Sequence, residues 1–247
     1  MSRLIRPEGA VEVKETLVNF VLDETGSMAE CLDATISGFN EYIQALRGEI
    51  KEDTPIRMSL TKFNSNRIEI VYTNKDVHDV PLLDRKNYTP NAMTPLYDAI
   101  GQTVKFVDEE VTSKKKRKLP KIVCVVLTDG LENDSRKFTK EKITELIKKK
   151  ERDGWNFVYL GANQDAWQVG IGMGMAQGNI TAYTPTVDGY HKAFGSLAQD
   201  TLAYHALQVP VTKCFVSSNY EVEPGLIKKS TKFVSKSNNK KKKGWKS

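Results

Sequence analysis

Apolar residues in this chain gather in short runs, separated by stretches in which they recur every three or four positions. The first run, Leu17 to Leu22, stops abruptly at Asp23. It reads as a strand buried on both faces, as at the centre of a mostly parallel sheet. A long helix is predicted next, because Met28, Leu32, Ile36, Phe39, Ile43, Leu46 and Ile50 form one stripe at helical spacing. Ile56, Met58 and Leu60 then alternate with polar neighbours, Asn64-Ser65-Asn66 supplies a turn, and Ile68, Ile70 and Tyr72 alternate again. That pattern predicts a β-hairpin ending in an antiparallel edge strand.

An irregular connection follows from Asp76 to Met93. A helix is expected to restart at Thr94-Pro95, where proline suits the first helical position, and to run to about Val111. Ile122 to Leu127 is a second buried strand, closed by Thr128-Asp129-Gly130. The next helix carries Ile143, Leu146 and Ile147, with Thr139 as its cap and Phe138 placed to staple onto Ile143. Trp155 to Leu160 reads as a strand, and an Ala/Gly/Met-rich helix is expected to reach about Gln177. Ile180 to Tyr183 is a short strand, and a last helix runs from about Gly189 to Leu207. Strands alternating with helices predict an α/β fold, an open, doubly wound, mostly parallel sheet with helices on both faces.

Length and charge refine this picture. The chain has 247 residues, enough for one large α/β domain with a substantial core. Formal charge is +6, but nine of the 37 basic residues lie in Lys228 to Ser247, which holds no acid. Residues 1–227 therefore carry 28 basic against 31 acidic side chains and are mildly acidic. The organisation expected is an N-terminal extension over 1–15, a domain over 16–207, an extension packed on it over 208–227, and a disordered lysine-rich tail over 228–247. The longest apolar run has six residues, far below the ~20 that span a bilayer, so no membrane association is expected. The first residues include Arg3 and Arg6 but no apolar core of a secretory signal. Cys31, Cys124 and Cys214 are odd in number and widely spaced, which argues against a disulfide framework or a cysteine zinc site. A cytoplasmic location is the expectation.

Candidate chemistry lies where strands end. Both buried strands end in an aspartate, Asp23 and Asp129, and ligands of open α/β sheets sit beyond the carboxyl ends of the strands. Asp23-Glu24-Thr25-Gly26-Ser27 adds two hydroxyls two residues apart on a turn entering a helix, and Thr94 offers a third at another helix start. Two carboxylates and three hydroxyls are hard oxygen donors without a His or Cys among them, a set that selects Mg²⁺ or Mn²⁺ over zinc.

Three segments resemble the parts of the metal-ion-dependent adhesion site of von Willebrand factor A domains. They are Asp23-Glu24-Thr25-Gly26-Ser27-Met28, Thr94-Pro95-Leu96-Tyr97-Asp98-Ala99 and Leu127-Thr128-Asp129-Gly130. The resemblance covers roughly Thr16 to Leu207 and is similar to stand-alone intracellular bacterial and phage versions of the domain. It implies strand order 3-2-1-4-5-6 with one antiparallel edge. It also implies that Thr25, Ser27 and Thr94 bind the cation, with Asp23 and Asp129 direct or through water. A partner protein's Asp or Glu would complete the coordination, making the chain a cation-dependent protein-binding module rather than an enzyme. Thr25 departs from the Ser more usual at its position, keeping the oxygen but adding a methyl.

Other readings attach to other residues. A metal with an open position can activate water, and Asp23-x-Thr25 resembles half of a phosphotransferase motif, although no second carboxylate and no general base accompany it. The lysine tail, Lys228 to Lys246 with Trp245, offers phosphate neutralisation and stacking to a nucleic acid. Lys114 to Lys118 is a basic run, read as a solvated loop. Gly170-x-Gly172-x-Gly174 lacks dinucleotide-loop spacing and reads as a tightly packed helix. Glu132 and Asn133 read as surface groups or as support for the ligands, and His78, His191 and His205 as surface or partly buried polar residues. The loops around Glu24, Met93 and Leu131 are expected to set specificity.

Overall fold

The computed structural model describes residues 15–50, 54–113, 120–162 and 166–206. The elements alternate as the periodicity predicts. Strand β1 spans Thr16–Asp23, helix α1 Leu32–Glu49, β2 Ile56–Asn64, β3 Arg67–Asp76 and α2 Leu96–Ser113. After these come β4 over Lys121–Thr128, α3 over Lys140–Arg152, β5 over Asn156–Ala162, α4 over Ala166–Gly172, β6 over Ile180–Tyr183 and α5 over Val187–Ala206. The six strands form one sheet in the order β3-β2-β1-β4-β5-β6. Every neighbouring pair is parallel except β2 and β3, joined by the Ser65-Asn66 turn.

Alternation along β1 explains the two layers of core. Val18, Phe20 and Leu22 pack among residues of α1 and α5, including Phe39, Tyr42, Ile43 and Phe194. Leu17 and Val21 pack instead with Leu96, Ile100 and Val104 of α2 and Ile143 and Ile147 of α3. Every residue of β1 and of β4 is buried, as continuous apolar runs require in a sheet covered on both faces. Close approach of α1 and α5 depends on Gly38: a Cβ there would stand 2.3 Å from Cδ2 of Phe194.

Two expectations need correction. The first helix does not run unbroken from Met28: Gly26–Cys31 forms a 3-10 turn, with Met28 N–H donating to Thr25 C=O at 3.1 Å, before α1 begins. The tighter turn serves the helix entry, where backbone donors lack regular partners. The helix after β5 ends at Gly172 rather than near Gln177, because Gly174 adopts a left-handed φ of +86° that stops it. Phe138 lies against α2, its ring filling the space beside Gly101, where an added Cβ would be 2.6 Å away. Lys114 to Lys118, residues 208–247 and most of the expected N-terminal extension lie outside the described residues. None of the described helices is long and apolar enough to cross a membrane.

Candidate functional site

The carboxyl ends of β1 and β4 lie side by side, Leu22 opposite Leu127, so Asp23 and Asp129 leave the sheet at one end. Strand order makes this the reversal point: the chain moves outward from β1 to β2 and β3, then crosses to β4 on the other side. Asp23 is fully buried. One of its oxygens accepts the Thr25 backbone N–H at 2.7 Å, and the other accepts the Thr128 hydroxyl. Ser27, on the 3-10 turn, donates its hydroxyl to Asp129 Oδ1 at 2.7 Å, and Thr25 Oγ1 lies 3.4 Å from Ser27 Oγ.

Thr94 comes in from a third direction. A Cβ built on Gly130 would lie 3.2 Å from Thr94 Oγ1 and 3.6 Å from Ser27 Oγ, so the missing side chain of Gly130 opens onto both hydroxyls. The Thr94 hydroxyl takes no hydrogen bond from the described residues, whereas its backbone is tied twice to Asn133. Its N–H donates to Asn133 Oδ1 at 2.8 Å, and its C=O accepts Asn133 N–H at 3.1 Å. Contacts thus link all five residues singled out in the sequence at one end of the sheet: Asp23 to Thr25, Thr25 to Ser27, Ser27 to Asp129, and Thr94 beside Gly130.

Electrostatics mark the same place. Burial pushes the Asp23 carboxyl up to about 6, against hydrogen bonds from Thr128 and Thr25 that favour its ionised form, and nearby Asp129 adds to the rise. Asp129 is also raised, chiefly by burial, with the Ser27 hydrogen bond opposing. Neither carboxylate forms an ion pair with a Lys or Arg among the described residues. Two adjacent acids held this way lack a positive partner, and a divalent cation with a hard-oxygen preference suits the donors present. Among the described residues no three His, Cys, Asp or Glu side chains gather, so any cation here rests on hydroxyls as much as on carboxylates.

Support around the opening was the part least visible in sequence. Glu24 is fully buried, while Gly26 and Ser27 of the same loop are exposed. The Glu24 carboxylate accepts from Lys62 Nζ at 3.1 Å, from Arg67 at 3.2 Å and from the Thr89 N–H at 2.9 Å, binding β1, β2, β3 and the incoming 89–93 segment together. Tyr88, also buried, donates its hydroxyl to the Asp23 C=O at 2.6 Å. Within that segment Ala92 adopts φ +64°, a costly conformation for a residue with a Cβ, and its C=O accepts the Gly26 N–H at 3.0 Å.

On the other side, Asp98 in the first turn of α2 accepts the N–H groups of Arg136, Lys137 and Phe138. Glu132 accepts the Tyr97 N–H at 2.9 Å and those of Asp134 and Ser135. Glu132 and Asn133 are therefore supports, the second of the two roles considered for them. An acid in the first turn of a helix was the available signal for Asp98. The Gly170 motif is structural: a Cβ on Gly170 would lie 2.7 Å from Ile180 Cδ1.

The von Willebrand factor type A domain model matches residues 18–184, most of the chain, and the protein belongs to that family. Solved structures of the same fold include proximal thread matrix protein 1 from the mussel byssus, at TM-score 0.54 and 16% identity over 77% of this chain and 47% of that one. A second structure of that protein, with zinc occupying its MIDAS motif, matches at TM-score 0.52 and 16% identity over 78% and 47%. The vWF domain of the type V pilus tip protein Mfa5 from Porphyromonas gingivalis matches at TM-score 0.56 and 10% identity, over 82% of this chain and 99% of that domain. The chain thus spans about half the length of the mussel protein. A search of the curated proteins found no match.

Proposed function

We propose that this protein is a divalent-cation-dependent protein-interaction module. In this reading Thr25, Ser27 and Thr94, with Asp23 and Asp129, hold Mg²⁺ or Mn²⁺, and an Asp or Glu of a partner protein completes the coordination. The carrying observation is convergence: Ser27 bonded to Asp129, and the hydroxyls of Ser27 and Thr94 both facing the gap that Gly130 leaves. The metal-occupied motif of the mussel relative supports it.

The chain's own residues divide the work. Thr128 and the Thr25 N–H orient the Asp23 carboxylate, Ser27 orients Asp129, and Asn133 fixes the backbone that presents the Thr94 hydroxyl. A bound cation supplies Lewis acidity that anchors an incoming carboxylate. No second carboxylate stands at Thr25 to support phosphoryl transfer, which favours binding over catalysis.

Asp129→Ala removes one acid from a half-buried position and leaves the core intact, so it should abolish Mn²⁺ binding, by at least a hundredfold, with an unchanged circular dichroism spectrum. Mn²⁺ electron paramagnetic resonance titration of the native chain and the variant measures this. Equal affinity in the two would overturn the assignment.

A further inference from the structure

Met93 and Leu131 are large apolar side chains left in water, 51% and 60% exposed. Scattered apolar residues at a surface need no explanation. These two differ in their address. Met93 immediately precedes Thr94, and Leu131 immediately follows Gly130, whose open face meets the Thr94 hydroxyl. They flank, on two separate connections, the pair Thr94 and Gly130 that the fold brings together.

Both connections are also pinned. Met93 donates its N–H to Ser65 Oγ at 3.1 Å and accepts the Ser65 N–H at 3.0 Å, which fixes it to the β2–β3 turn. Leu131 stands between Gly130, whose N–H donates to Thr128 Oγ1 at 3.0 Å, and Glu132, whose carboxylate holds the Tyr97, Asp134 and Ser135 amides. Loops held at their backbones present their side chains with little conformational freedom left to lose on binding.

We propose that Met93 and Leu131 form an apolar rim that selects a partner segment in which the captured Asp or Glu has large apolar neighbours. This rests on the metal reading above: the charged contact supplies the anchor, and apolar contact beside it supplies the choice among acidic segments. Covering a side chain the size of leucine is worth enough to shift affinity about tenfold even when burial is incomplete.

The test uses the full chain in saturating Mg²⁺ and three capped peptides, titrated by two-dimensional NMR. One carries Leu-Glu-Leu between glycines, the second Ser-Glu-Ser, and the third Leu-Gln-Leu. The expected result is about tenfold tighter binding of Leu-Glu-Leu than of Ser-Glu-Ser, and no measurable binding of Leu-Gln-Leu. In the double variant Met93→Ser, Leu131→Ser the preference for Leu-Glu-Leu should vanish while Mn²⁺ affinity stays native.

Equal binding of the two Glu peptides, a preference that survives in the double variant, or no peptide binding by a chain that still binds Mn²⁺ overturns the rim and leaves the metal reading standing. Failure of the native chain to bind Mn²⁺ at all is the separate outcome that overturns the metal reading, and the rim with it. A preference for apolar peptides that persists with Gln and in EDTA overturns the rim as stated, since the anchor would then play no part.

Discussion

The two ends of the central sheet handle buried charge in opposite ways. At the amino end of β4, Lys121 is 2% exposed and donates Nζ to the C=O groups of Tyr204 at 2.8 Å and His205 at 3.0 Å, in the last turn of α5. A cation there meets the negative end of a helix and its spare carbonyls. His205 Nδ1 lies 2.8 Å from the Thr16 hydroxyl, so the same turn is also tied to β1. At the carboxyl end, Asp23 and Asp129 approach each other with hydroxyls around them and, among the described residues, no basic side chain paired to either. One end meets its buried cation with the carbonyls of a helix terminus. The other brings like charges together, the arrangement expected where a cation from outside belongs.

Breaking this contrast should produce effects of different sign. The largest follows from Glu24, the exception at the carboxyl end, because its charge is matched by Lys62 and Arg67. Glu24→Gln strands the buried Lys62 ammonium and should lower stability by roughly 3 kcal/mol or more, read as a drop in urea midpoint. Asp23→Asn should do the reverse in EDTA at pH 7. The carboxyl is raised from 3.8 to about 6 in the fold, so the native state takes up its proton before the unfolded chain does as pH falls. The stability this group contributes is fully present below pH 4 and lost as pH rises through about 6. The variant should therefore exceed the native chain at pH 7 by up to roughly 3 kcal/mol, and the two should converge towards pH 4. Thermal scans of both chains across that range check the convergence, and a difference between them that does not change with pH would remove the argument from burial.

Lys121→Met should cost about 2 kcal/mol by removing donors from the last turn of α5, without changing Mn²⁺ affinity. An altered Mn²⁺ affinity would show that the two ends are not independent.

How much of this was legible beforehand depends on the range of the interaction. Continuous apolar runs located β1 and β4, alternation located the β2–β3 hairpin, and the two strand-terminal aspartates do leave the sheet side by side. The three motifs, far apart in sequence, are neighbours in the fold. Their supports were not legible, because Glu24, Asp98 and Glu132 look like surface acids until tertiary structure supplies their partners. Glu24 shows the difficulty best: it sits inside the motif, and only the register of β1 against β2 places Lys62 within its reach. The length of α4 was misjudged for a local reason, since Gly172 and Gly174 fit a packed helix or its end equally well until φ at Gly174 is known.

The hydrogen bond from Ser27 to Asp129 joins residues 102 apart in the chain. It therefore cannot form during early local events of folding, when helices and the β2–β3 hairpin assemble from contacts close in sequence. It requires β4 to be docked beside β1. The arrangement at the sheet's end consequently depends on pairing between strands distant in sequence. Any signal that depends on it would report completed topology rather than secondary structure, and its time course would separate collapse from arrival at the native order of strands.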